Sequence, residues 1–127
     1  AAAKLTAAFA ESDVPKVNMI TGNAYGSAYI TMNSKHIGAD MVFALNGAKV
    51  GMMDANVAAK IMYADDKDAD LAEKATQFAA QSGTEAAARG YVDSVIEPAS
   101  ARKQLLYAFE MLYNKCEYPI GKKHGTI

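Results

Sequence analysis

The stretch Ile20-Thr21-Gly22-Asn23-Ala24-Tyr25-Gly26-Ser27-Ala28-Tyr29 is the part of this chain best suited to chemistry. Apolar residues end a strand, glycines make a tight turn, and small residues open a helix. Such a turn exposes the first backbone N–H groups of the helix. Those groups, with the positive end of the helix dipole, can hold an anion. In catalysis the same arrangement is an oxyanion hole, worth about 3 kcal/mol in the transition state per well-placed donor. Small residues matter because a bulky side chain would block the approach to the backbone. The pattern also suits a plain close crossing of helix over strand, which needs small residues for packing alone. Ser27 has a second reading, as a nucleophile at a strand–turn–helix elbow. Against it, Ala24-Tyr25-Gly26-Ser27-Ala28 is not G-x-S-x-G, and a base must come from His36 or His124.

Other reactive side chains carry less. Asp65-Asp66-Lys67-Asp68-Ala69-Asp70 superficially resembles a calcium loop, but Asp70 stands where the sixth-position glycine belongs and Thr76 where the closing Glu belongs. A solvated turn between helices, with an aspartate capping the second, is the simpler expectation. One cysteine and two histidines make a structural zinc site unsuited to this chain. His36 is expected as a cation at a helix C-terminus, and Cys116 as a buried or half-buried structural thiol. Lys122-Lys123-His124 forms a small solvated basic tail.

The elements that must position the candidate site follow from periodicity and punctuation. A helix is expected over residues 1–12, with Leu5, Ala8 and Phe9 on one face, ended by Val14-Pro15. It starts without a cap, as if the chain began in the middle of something. A strand over 16–21 leads into the glycine-rich turn at Gly22-Asn23 and Gly26. A helix then runs from Gly26 or Ser27 to about Ser34. Strands follow at 41–45 and 48–52, joined at Asn46-Gly47 either as a hairpin or as a step between two sheet layers. Asp54 caps a helix to about Tyr63. Asp68 or Asp70 opens another to Gln81, closed by Ser82-Gly83 with glycine as C-cap. A short helix over 84–89, closed by Gly90, precedes a strand over 92–96. The last helix runs from Pro98 or Ser100 to about Lys115, with Leu105, Leu106, Phe109, Leu112 and Tyr113 on one face. Strands alternating with helices indicate an α/β fold.

Composition sets the outer bounds. The 127 residues favour one domain over residues 1–127, and no linker or sequence repeat divides them. A hydrophobic fraction of 51% with 21% charged residues describes a globular chain. Thirteen basic against fourteen acidic residues remove the electrostatic case for a nucleic-acid partner. No apolar run could span a bilayer, and no secretory signal opens the sequence. The single cysteine fits a reducing, cytoplasmic setting. Abundant alanine suits helices packed tightly on a sheet or on partner subunits.

Three segments together carry a family resemblance. Ala3-Lys4-Leu5 through Val14-Pro15-Lys16-Val17 is similar to "GAKLL…AYAEATVPKVTVIT". Ala24-Tyr25-Gly26-Ser27-Ala28-Tyr29, then Met32 and Ser34-Lys35-His36, resembles "KAYGGAY…M.SKH". Gly90-Tyr91-Val92-Asp93, Ile96-Glu97-Pro98, Arg102 and Lys122-Lys123-His124-Gly125 resemble "GFVDdIIeP…tR…" and "RKHGNIPL". In this order and spacing they resemble the C-terminal part of the carboxyltransferase subunit of biotin-dependent acyl-CoA carboxylases, of the propionyl- and acetyl-CoA carboxylase type. Biotin-dependent acyl-CoA decarboxylases share the pattern. The likeness covers nearly the whole chain, about the last quarter of such a subunit. The matching ending implies a natural C-terminus.

The resemblance implies a crotonase-like ββα spiral, an α/β fold of which this chain holds only the C-terminal portion. It implies carboxyl transfer between carboxybiotin, borne on a separate carrier protein, and an acyl-CoA such as acetyl- or propionyl-CoA. Backbone N–H groups stabilise the anions, and the biotin-side pair falls on Ser27 and Ala28. Tyr25, Gly26, Tyr29 and Ile30 then belong to the biotin and acyl pocket. An apolar residue at Ile30 resembles acetyl-accepting or decarboxylase members more than propionyl-preferring ones, which tend to have Asp there. Ser27 replaces the usual glycine, which spares the backbone donor and narrows the pocket. The family's "WPTAEIAVMG" is replaced by Leu45-Asn46-Gly47-Ala48-Lys49-Val50-Gly51-Met52-Met53-Asp54.

The implied partners are a biotin carboxyl carrier protein or domain and a chain supplying the missing carboxyltransferase segments, in a homo- or hetero-oligomer. Alone, the chain is expected to be inactive and to associate. Competing readings are a decarboxylase α-subunit piece, a non-catalytic assembly or carrier-docking module, and a crotonase-fold hydrolase using Ser27.

Overall fold

A computed structural model describes residues 2–65, 70–78 and 82–116. Two ββα units follow one another. In the first, β1 (Val17–Ile20) and β2 (Asn23–Tyr25) lead into α2 (Gly26–Thr31). In the second, β3 (Met41–Leu45) and β4 (Lys49–Gly51) lead into α3 (Ala55–Met62). The first strands of both units enter one three-stranded parallel sheet, ordered β1-β3-β5, where β5 is Ser94–Ile96. The second strands pair with each other, also in parallel, with Asn23 opposite Lys49 and Tyr25 opposite Gly51. The turn at Asn46-Gly47 is therefore the step between sheets and not a hairpin. Its φ of +88° at Gly47 explains the glycine. The expected glycine-rich turn at Gly22-Asn23 is shorter than the sequence suggested, because residues 23–25 are a strand.

β3 is the central strand, buried on both sides as parallel strands are. Its side chains alternate between two cores. Val42 and Ala44 meet Ile20, Tyr29, Val50, Ala86 and Val92 on one face. Phe43 meets Ile96 and Ala108 on the other, with Met19, Leu45 and Leu105 packed around them. The alanines allow close approach. At Gly83 even a Cβ would come within 3.2 Å of the Ala44 Cβ.

The helices are α1 (Ala2–Glu11), α2, α3, α4 (Leu71–Gln77), α5 (Gly83–Ala88) and α6 (Ala101–Met111). Asp54 caps α3 by accepting the Asn56 N–H at 3.0 Å. Asp70 caps α4 from the Ala72 N–H at 2.9 Å. Ser82-Gly83 does not close α4. Ser82 is the N-cap of α5, accepting from the Glu85 N–H, and Gly83 is the helix's first, buried residue. Gly90 closes α5 at φ +81°.

α6 is shorter than its pattern, ending at Met111. Ala108 is buried and Leu105 half-buried, but Leu106, Phe109 and Tyr113 are exposed, so the expected apolar face is only partly used. Cys116 lies beyond the helix and is exposed, not buried as expected. Asp66, Lys67, Asp68 and the tail with Lys122, Lys123 and His124 lie outside the described residues.

A polar clasp holds the strand entrances together. Asp40 accepts the Lys16 N–H at 2.7 Å and pairs with Lys115 at 2.8 Å. Lys35 pairs with Asp93 at 2.8 Å and donates to the Asp40 carbonyl at 2.9 Å. Asp93 also accepts the Val42 N–H at 2.7 Å. Burial alone would raise the Asp40 carboxyl. Hydrogen bonds from Lys115 and the Lys16 N–H, with both positive charges, outweigh it and hold the carboxyl below its ordinary range.

Candidate active site

The candidate site is built where β2 turns into α2. Tyr25 is still extended, at φ −122° and ψ 143°, and no side chain caps the helix. Gly26 takes φ +59°. A Cβ there would sit 3.0 Å from the Met52 carbonyl oxygen, so glycine is needed for both the turn and the close approach of β4's end. An uncapped start leaves the leading N–H groups, those of Gly26, Ser27 and Ala28, without intrahelical partners. Ser27 and Ala28 are both exposed.

α2 stops at Thr31, earlier than expected, because Asn33 enters the left-handed region at φ +59°. The Asn18 amide on β1 secures this end, donating to the Asn33 carbonyl at 2.9 Å and the Met32 carbonyl at 3.3 Å. Ser34 donates to the Ile30 carbonyl at 3.0 Å. Strand β1 thus fixes the far end of the helix whose near end carries the donors. Sequence reasoning missed Asn18, since its partners are backbone atoms fourteen and fifteen residues away.

Five of the six residues singled out in sequence border one or other of two separate concavities. Tyr25, Ala28 and Tyr29 line an open groove of about 460 Å³, together with residues 18–24 and Met32. Gly26, Ile30 and again Tyr29 line a smaller cavity of about 200 Å³ on the other side of α2. The Ser27 side chain lines neither. Tyr29 is buried and is the wall common to both. Its hydroxyl reaches the Tyr91 carbonyl at 3.5 Å, and burial, then Tyr91, raises the phenol above its usual range. The Tyr25 hydroxyl is buried without a hydrogen-bond partner among the described residues. Burial, then the Asp54 charge, raises that phenol as well.

His36 does not lie at the C-terminus of α2 as expected. It lies in a 3-10 turn, Lys35–Ile37. Its ring stands edge-on to Tyr29, with centroids 6.1 Å apart, and tilted against Tyr91 at 5.3 Å. It borders the smaller cavity, which Ser27 does not. The Ser27 hydroxyl has no hydrogen-bond partner among the described residues. No cluster of three or more metal-binding side chains occurs among the described residues either.

The carboxyl transferase domain model matches residues 1–127. The methylmalonyl-CoA decarboxylase subunit alpha of Propionigenium modestum is 43% identical over 135 residues, covering 98% of this chain and 26% of its own length. The propionyl-CoA carboxylase beta chain of Saccharopolyspora erythraea is 42% identical over 137 residues, covering 98% of this chain and 25% of its own. A crystal structure of the transcarboxylase 12S subunit, described as a hexamer with methylmalonyl-coenzyme A and methylmalonic acid bound, superposes with a TM-score of 0.90. It is 38% identical and covers 98% of this chain and 25% of that one. The chain thus spans about a quarter of the length of the relatives it matches. Its consecutive ββα units and parallel sheets are part of the crotonase fold of those structures, and the chain belongs to the carboxyl transferase domain family.

Proposed function

We propose that this chain is the biotin-side portion of a biotin-dependent acyl-CoA carboxyltransferase. The observation that carries the reading is the uncapped start of α2 after Gly26, beside the open groove. The Ser27 and Ala28 N–H groups donate to the oxyanion that develops on the biotin ureido oxygen. Carboxybiotin, when bound, supplies the carboxyl group exchanged with the acyl-CoA alpha carbon. The chain's own part is to fix donors before the reaction, which is where electrostatic stabilisation gains most. Gly26 keeps the approach open. Tyr25 and Tyr29 wall the groove. Ile30, with Gly26 and Tyr29, lines the smaller cavity, whose apolar edge limits the acyl group. No acidic or basic side chain is required at the reacting atoms.

The second oxyanion hole, most of the CoA site and the biotin carrier come from elsewhere in the assembly. Transfer of the carboxyl group from carboxybiotin to an acyl-CoA, and from the carboxylated acyl-CoA back to biotin, are one step in opposite directions, and the site described serves either. A hydrolase using Ser27 is disfavoured by its unpartnered hydroxyl and by His36 facing the other cavity.

The test replaces Ser27 in the assembled enzyme. Ser27→Ala keeps the N–H and is expected to keep carboxyl transfer to acetyl- or propionyl-CoA within a few-fold. Ser27→Pro removes one donor at a first-turn position that proline tolerates, and should lower kcat by about 10²–10³. Full activity in Ser27→Pro would sink the proposal. Loss of activity in Ser27→Ala, with labelling of the parent by a serine-reactive probe, would favour the hydrolase.

A further inference from the structure

The outward face of α6 has no part in that reading. The inner side of the helix, at Ala108, packs on Phe43 and Ile96. On the outer side Arg102, Leu106 and Glu110 stand four residues apart, so they make one row along the helix. Lys103 and Tyr107 make the next row. The two rows, with Ala99, border an open groove of about 400 Å³. Leu106 is 56% exposed. Lys103 is turned to its own Tyr107, 5.6 Å from the ring centre, which leaves Arg102 as the cation of the first row. Arg102 and Glu110 are exposed and form no ion pair among the described residues. Eight residues separate them, about 12 Å along the axis, too far for them to pair with each other.

We propose that this face of α6 docks against α6 of a second copy of the chain, the two helices crossing antiparallel at Leu106. The row is its own complement. Read in one direction it is a cation, an apolar centre and an anion; an antiparallel copy presents the same three in reverse. A two-fold axis through Leu106 sets that side chain on its twin and brings each Arg102 to the other copy's Glu110. Contacts between identical subunits about a two-fold axis require such self-complementarity. Rows at four-residue spacing are also the ridges that seat in the grooves of a facing helix. A partner surface of a single charge sign would satisfy one end of the row and oppose the other.

The test uses the assembled protein containing this chain, and its readouts need no turnover, so a failure of the carboxyl-transfer reading leaves the result intact. Leu106→Cys is made together with Cys116→Ser, which removes the exposed thiol nearby. On the axis, position 106 meets itself, so mild oxidation should join the peptide carrying it to its twin, as read by mass spectrometry. Each chain has one residue 106, so that bond can only lie between copies. Arg102→Glu and Glu110→Arg each set like charges together at both symmetric contacts. Each should slow the cross-link about tenfold at low salt. The double reversal, Arg102→Glu with Glu110→Arg, should restore it to within about twofold. Since the two positions cannot meet within one helix, a role in folding alone would give no such rescue. No cross-link, capture of position 106 by another segment or another protein, or a double reversal no better than the singles would overturn the proposal. Should Leu106→Cys impair assembly, sedimentation of the charge variants decides, with the same order expected.

Discussion

Gly26 joins two demands that are usually separate. Its φ of +59° is one that L side chains rarely adopt, and the Met52 carbonyl leaves a Cβ only 3.0 Å. Gly26→Ala should therefore cost about 1–2 kcal/mol of stability for the left-handed backbone. It should also depress kcat more than Ser27→Ala, because relief of the contact moves the donors. Thermal unfolding and steady-state kinetics on the same samples check this, and an Ala variant with unchanged kcat would contradict it. Gly26, Ser27 and Ala28 were legible in sequence because the strand, the glycine and the small residues adjoin one another. Asn18 was not. Its significance comes from partners that only the folded chain brings near. Of the pocket residues read from sequence, Tyr25 lines the groove, Gly26 and Ile30 line the smaller cavity, and Tyr29 lines both.

Elements are held by charges that the sequence does not pair. Asp40 joins the entrance of β1, through the Lys16 N–H, to the segment beyond α6, through Lys115. Because its folded pKa lies below the ordinary value, the native state binds fewer protons there than the unfolded chain. Its contribution is complete above the unfolded pKa, near pH 4, and fades as pH falls through the lower folded value. Urea unfolding at a series of pH values should show stability falling below about pH 4, with a shallower slope in Asp40→Asn. Lys115→Met leaves the largely buried Asp40 carboxylate without its cation and should cost ~2–4 kcal/mol at neutral pH. A neutral Lys115→Met would show the clasp to be incidental. Caps at Asp54 and Asp70 were readable from type and position. The true role of Ser82-Gly83 was not, since Gly83 is glycine for lack of room beside Ala44 rather than to end a helix.

At the scale of the whole molecule, the α/β class followed from alternation of strand and helix, and parallel pairing came only with the coordinates. The two ββα units share no sequence period, because each strand's residues answer to a different neighbour: Val42 and Ala44 to one core, Phe43 to the other. Much apolar surface stays open, including Leu106, Phe109 and Met111 on α6 and Val57, Ile61 and Met62 on α3. Surface of that kind marks interaction sites. The purified chain is expected to sediment as an oligomer, or with a partner, and to be inactive as a monomer. A monomer that transfers carboxyl groups would refute this. Tyr29, finally, is a party wall. One aromatic ring faces the groove on one side and the cavity on the other, so whatever crowds it from one room changes the dimensions of the next. Shortening that wall with Tyr29→Leu should therefore reshape both rooms at once, where a change at Tyr25 or Ile30 alters only one.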